Sequence, residues 1–150
     1  MFKHWKSVSV AASLAIAACV GLQAHQAEGG KKVEPRVFEM RTYYANKGKM
    51  EALHARFRDH TNKLFVKHGM TLIGYWSPID AKQAEEKMVY ILAFPSKEAA
   101  DKSWADFRND PEWKKVREAS EKDGPLVAKV ESVFLTATDY SPIKLFRVYV

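Results

Sequence analysis

Glu39, Arg41 and Tyr43 occupy alternate positions of the run Val37-Phe38-Glu39-Met40-Arg41-Thr42-Tyr43-Tyr44, whose richness in β-formers reads as a strand. Side chains alternate across a strand, so these three project together while Phe38, Met40 and Thr42 take the other face. A guanidinium between a carboxylate and a phenol can clamp an anion, because its planar fork matches the two oxygens of a small carboxylate ligand. The same residues admit a structural pairing instead, Arg41 with Glu39 or with a group across a dimer, since a buried Arg requires a partner. Trp76 and Tyr90 are placed to line the same space, or to pack at a subunit interface. Arg41, Tyr43, Trp76 and Tyr90 are therefore the candidate ligand-binding residues. No residue declares itself catalytic.

Other chemistries find little support. His54, His60 and His68 fall on or at the end of one helical run, but six and eight residues apart. Shared metal ligation on a helix wants spacings of three or four. The expectation is no metal and no cofactor. There is no Ser-His-Asp set, P-loop or glycine-rich dinucleotide loop. Cys19 is the only cysteine, and it lies in the N-terminal apolar run, so disulfides and thiol chemistry are not expected of the domain.

The elements that must position these residues follow from periodicity and punctuation. After strand 1, Asn46-Lys47-Gly48 turns the chain. Residues 49–67 read as a helix with Met50, Leu53, Phe57, Leu64 and Phe65 on one stripe, closed by Gly69. Residues 70–76 form strand 2, 80–87 a polar surface loop, and 88–94 an apolar strand expected to be central and buried on both faces. Ser96 caps a helix carrying Trp104 and Phe107. Asp110-Pro111-Glu112-Trp113 starts another that reaches about Glu121, broken by Asp123-Gly124-Pro125. Residues 128–138 form strand 4. The order is that of an α+β, ferredoxin-like split βαβ fold with a four-stranded antiparallel sheet. Helices on one side leave the other sheet face open, and Tyr43, Trp76, Tyr90 and Leu92 are assigned to it. An apolar face of that kind is expected to pair with a second copy as a dimeric barrel, with Glu39, Arg41 and Tyr43 toward its interior.

The N-terminus has the layout of an export signal: Lys3 and Lys6, then the apolar run Val8 to Leu22, then Gln23, His25, Gln26 and Glu28. The run is short of the ~20 apolar residues of a transmembrane helix. Two processing routes stand open. Cleavage after Ala24 would leave a signal peptide of residues 1–24; acylation of Cys19 in Ile16-Ala17-Ala18-Cys19 would make a membrane-anchored lipoprotein. The expected location is periplasmic or secreted, with membrane attachment only if Cys19 is lipidated. Residues 25–36 read as a linker, 37–144 as one domain, and 145–150 as an apolar tail. Of 24 basic residues the leader removes Lys3 and Lys6; the remaining charges are interspersed among 18 acidic ones, with no basic stripe for nucleic acid.

Phe38-Glu39-Met40-Arg41-Thr42-Tyr43, Lys47-Gly48-Lys49, Gly74-Tyr75-Trp76, Asp110-Pro111-Glu112-Trp113 and Ser141-Pro142, in that order, resemble the NIPSNAP family from about Val37 to Lys144. The resemblance implies a dimeric α+β barrel and supplies no settled reaction. The family tends to carry a His where Tyr90 stands and an aromatic where Leu92 stands, so any chemistry owed to that His is not expected here. The functional expectation is an exported homodimer that binds a small molecule between its sheets. The alternatives are a cofactor-independent oxygenase or isomerase, in which Tyr43, Tyr90 or Arg41 orients an aromatic substrate, and a protein-interaction module using the tail.

Overall fold

A computed structural model describes residues 36–143. The expected leader and the 145–150 tail lie outside those residues, as does the linker except for Arg36, whose Nη1 donates to Thr71 Oγ1 at 3.0 Å.

The elements run β1 (Val37–Ala45), α1 (Met50–Arg56), a π-helical turn (Phe57–Thr61), α2 (Asn62–Lys67), β2 (Thr71–Trp76), α3 (Ala81–Glu86), β3 (Lys87–Phe94), α4 (Lys97–Asn109), α5 (Pro111–Ser120) and β4 (Val127–Thr136). The four strands form one antiparallel sheet in the order β2-β3-β1-β4. This is the α+β, ferredoxin-like architecture expected from the sequence, with β3 central. The caps are as read: Ser96 Oγ accepts from Ala99 N, and Gly69 takes the left-handed conformation, φ 76°, that ends α2 without a Cβ clash.

Two local expectations need correction. The polar stretch after Asp80 is a short helix, α3, because the Asp80 carboxylate accepts from Gln83 N at 3.0 Å and supplies the N-cap. The single helix over 49–67 carries a π turn at its middle, where Asn62 N reaches back to Phe57 O. The stripe read from the sequence is buried nonetheless: Met50, Leu53, Phe57, Leu64 and Phe65 all enter the core.

The larger correction concerns the sheet's two faces. Glu39 pairs with Leu92, Arg41 with Tyr90 and with Ser132, and Tyr75 with Tyr90, so these side chains share a face. That face is the one the helices cover. Tyr90 and Leu92 are fully buried in the same cluster as Phe57, Phe65 and Trp104. Tyr43, Tyr90 and Leu92 were assigned to the open face and Glu39, Arg41 and Tyr43 to a barrel interior; all lie under the helices instead. Alternation says which residues share a face but not which face the helices choose. Trp76 does lie on the open face, opposite Val89 and 51% exposed. Alternation separates Trp76 from Tyr75, and a register shift between Leu72 and Gly74 sets Trp76 opposite Val89 rather than on the face of Tyr90. Its ring folds back over Gly74, where an added Cβ would come within 2.7 Å. On that outer face Val89 and Ile91 are only partly buried, so β3 is not covered on both sides.

Candidate functional site

The middle of β1 is built around a buried carboxylate. Glu39 is 1% exposed, and its oxygens accept from Trp104 Nε1 at 2.5 Å, Ser132 Oγ at 2.6 Å and Arg41 Nη1 at 2.8 Å. Three donors from α4, β4 and β1 satisfy a charge that would otherwise be very unfavourable there. Trp104 arrives because α4 turns Ala100, Trp104 and Phe107 inward at helical spacing.

The structural pairing of Arg41 with Glu39 thus forms, but it occupies only one end of the guanidinium. The Arg41 centre lies 4.1 Å from the Trp104 ring centroid and 5.6 Å from that of Tyr43. Its Nε has no hydrogen-bond partner among the described residues. Burial works against the charge, but Tyr90, Tyr43 and Glu39 outweigh it and raise the Arg41 pKa, so the cation is fixed.

Opposite β1, the π turn brings Phe57 and Thr61 into the wall. A turn of this kind widens the helix by one residue and leaves carbonyls to be served locally. Here Thr61 Oγ1 donates to Arg56 O at 3.1 Å. Arg56, 5% exposed, donates through Nη1 to Glu121 Oε1 at 2.9 Å and Ser120 Oγ at 3.2 Å, and lies 5.3 Å from the Trp113 ring centroid. Glu121 also accepts from Arg117 Nε at 3.1 Å. Burial raises the Glu121 carboxyl, but Arg56 and Arg117 together bring it below its usual value.

Trp113 is held by the start of α5. Asp110 Oδ1 accepts from Glu112 N at 2.7 Å, while Oδ2 meets Lys67 Nζ at 2.8 Å and His68 Nε2 at 2.6 Å. One carboxylate therefore caps α5 and ties it to the end of α2. Lys67, His68 and the Glu112 amide hold it well below the usual carboxylate range.

These parts enclose a cleft of about 350 Å³ between the helices and the β1–β4 side of the sheet. It exists because the helices stop short of the edge strand: on β4, Val130 and Phe134 stay exposed although they share the helix-facing side. Arg41, Tyr43, Phe57, Thr61 and Trp104 line the cleft, and Arg108, Arg117 and Lys129 also border it. Next to Tyr43 and Phe57, Tyr90 is packed at ring distances of 5.2 and 5.3 Å and stacks on Tyr75 at 5.5 Å. The hydroxyls of Tyr90 and Tyr75 have no partner among the described residues. Burial pushes both phenols up, so they stay protonated at neutral pH and can donate but not act as bases.

Of the four candidate ligand residues, Arg41 and Tyr43 line the cleft, Tyr90 packs next to Tyr43, and Trp76 lies apart on the outer face. Arg56, Thr61 and Glu121 were not singled out. Arg56 had a legible signal: it sits three residues after Leu53 on the apolar stripe of its helix, a position where a charge must find a buried partner. Trp104, read only as core, turns out to join core and site. Among the described residues, no group of His, Cys, Asp and Glu is gathered as a metal site.

A split βαβ sheet with a polar-floored cleft under its helices defines a small α+β domain. The NIPSNAP family profile matches residues 38–142, and the chain belongs to that family. It is similar in fold to a NIPSNAP family protein from Agrobacterium tumefaciens strain C58, with TM-score 0.63 and 19% identity over 73% of this chain and 99% of that one. A second NIPSNAP family protein of unknown function from the same strain gives TM-score 0.61 and 22% identity, over 74% of this chain and 95% of that one. A NIPSNAP-like domain protein from Burkholderia xenovorans gives 0.62 and 17%, over 75% and 96%. No curated protein matches the chain.

Proposed function

We propose that this chain is an exported NIPSNAP protein that holds a small molecule in the cleft beside Arg41, and that it works as a homodimer paired through the outer face of its sheet. The observation that carries the binding reading is Arg41. Its charge is fixed, one end is anchored by Glu39, its Nε is buried without a partner among the described residues, and the side chain lines the cleft. On this reading the ligand sits between sheet and helices, where the sequence alone suggests a site between two sheets. The dimer reading rests on the apolar outer face, where Trp76, Val133 and Leu135 remain exposed in the single chain. A cofactor-independent oxygenase or isomerase would need a base to take a proton from substrate, and the buried phenols of Tyr90 and Tyr75 are shifted the wrong way for that task.

Native mass spectrometry of protein purified from its host tests the binding reading. The expected result is a small molecule released on denaturation and missing from Arg41→Lys, since Lys cannot reproduce the planar fork. Wild-type protein that carries nothing, and whose melting point no small molecule raises, would overturn it. Export is tested by fractionating the host, where full-length chain in the cytoplasm is the contrary result. The mass of the mature N-terminus separates a start at His25 from a lipidated Cys19.

A further inference from the structure

Resting on the cleft reading above, we infer that the ligand is a flat aromatic carboxylate, its carboxylate taken by the free side of Arg41 and its ring held among the aromatic side chains of the cleft. Three features of the cleft point the same way.

The first is charge. Four of the lining side chains are arginines, Arg41, Arg56, Arg108 and Arg117, against the carboxylates of Glu121 and of Glu39 beneath Arg41; Lys129 also borders the cleft but its ammonium pairs with Glu131 at 2.6 Å. Glu121 is already engaged by Arg56 and Arg117. A cleft of this sign with low-dielectric walls concentrates anions and disfavours neutral or cationic ligands.

The second is the orphaned side of Arg41. With Nη1 turned to Glu39, the opposite edge of the guanidinium is the pair Nε–H and Nη2–H, and Nε has no partner among the described residues. Parallel donors on one edge fit the two oxygens of a planar carboxylate. A buried donor without an acceptor is unfavourable, and a carboxylate drawn onto that edge removes the penalty. Glu39 cannot do so, because its two oxygens already serve Trp104, Ser132 and Nη1.

The third is the wall. Tyr43, Phe57, Phe65, Trp104 and Phe107 form an unbroken series of neighbouring rings, with centroids 5.8, 6.0, 5.3 and 5.8 Å apart in that order. The contacts are edge-on, at 75°, 78°, 81° and 82°. Arg41 closes the series by lying over Trp104 and near Tyr43. Edge-to-face contact is the arrangement a further aromatic ring extends, its positive edge meeting a negative face. An acyl chain gains area here but none of that directional contact.

The experiment is isothermal titration of the purified protein with three probes: 2-naphthoate, 2-naphthalenemethanol and decanoate. The expected result is that naphthoate binds at least tenfold more tightly than either of the others. In Arg41→Lys the naphthoate affinity should fall to that of the alcohol while the alcohol is unchanged. Arg108→Gln, remote from the Glu39 network, serves as a folded control and should weaken naphthoate only a fewfold. Alcohol binding as tightly as naphthoate overturns the anion assignment and leaves the cleft reading intact. Decanoate matching naphthoate overturns the aromatic assignment alone. If all three probes fail to bind, the cleft reading itself falls.

Discussion

The two faces of the sheet are written with the same alternation yet solve opposite problems. The helix-covered face carries ionised groups, Glu39 and Arg41, and binds them into a network before burying them. The outer face leaves large apolar side chains, Trp76, Val133 and Leu135, exposed, with charge only toward one end, where Lys129 and Tyr44 meet Glu131. The lesson is that polarity does not mark the outside of this protein. A charge can lie inside when three donors meet it, and an indole can lie outside with half of its surface in water.

The sharpest way to break that comparison is to remove the acceptor inside. Glu39→Ala leaves Arg41 without its anchor and the Trp104 indole and Ser132 hydroxyl without an acceptor. Stability should drop by about 3 kcal/mol, the low end for a broken buried pair because Arg41 keeps some opening to solvent. Glu39→Leu combined with Arg41→Met should recover most of the loss, because an apolar pair needs no partners. Urea denaturation of the three proteins measures this. A loss below about 1 kcal/mol for Glu39→Ala would mean that water serves the network as well as the carboxylate does.

On the outer face the same kind of change should act on assembly. Trp76→Glu places a charge where the proposed dimer would bury it, and should weaken the dimer roughly a hundredfold, about 2.8 kcal/mol. The single chain should change by less than about 1 kcal/mol, since half of the indole is already in water. Light scattering across micromolar concentrations, with a urea melt of the monomer, separates the two effects. A wild-type monomer at those concentrations would remove the dimer and leave the apolar face unexplained.

How much of this was legible depends on the range of the signal. Ser96, Asp110-Pro111 and Gly69 are local cues whose physics is complete within a few residues, and each sits where the sequence put it. The faces of β1 were grouped correctly but turned the wrong way, because the choice depends on Trp104, 65 residues away, donating to Glu39. Trp76 was joined to Tyr90 because a shift at Leu72–Gly74 cannot be read from alternation. Half of the site could not be assembled from sequence for the same reason. Arg56 and Glu121 meet only after the intervening strands and helices have folded.

Acid provides a third, smaller probe of the covered side. Asp110 joins α2 to α5, and its carboxyl is held well below the usual range by Lys67, by His68 and by the Glu112 amide. A carboxyl depressed in the folded state stabilises above its unfolded pKa, about 3.9, and that contribution is lost as pH falls toward the folded value. Wild-type stability should therefore fall progressively below about pH 4. Asp110→Asn, which keeps a capping side chain, should be less stable than wild type at pH 7 and lose less on acidification. Parallel acid limbs for the two proteins would show that other carboxylates govern the acid transition.

The smallest effect is expected at the π turn, and it asks whether the covered face tolerates any unmet polar group. Thr61 is buried, and its hydroxyl donates to the Arg56 carbonyl. Thr61→Val keeps the shape and removes the donor. The cost should be about 1 kcal/mol, the net worth of one hydrogen bond with its acceptor left inside. The turn itself should persist, because the Asn62 N to Phe57 O bond belongs to the backbone. Urea denaturation gives the stability, and amide hydrogen exchange at Asn62 reports on the turn. Unchanged stability would mean that Arg56 O is already served through the cleft by water, and the covered face would then be less dry than the Glu39 network suggests. Faster exchange at Asn62 would instead show that the hydroxyl holds the turn open, making Thr61 the residue that sets the width of the cleft.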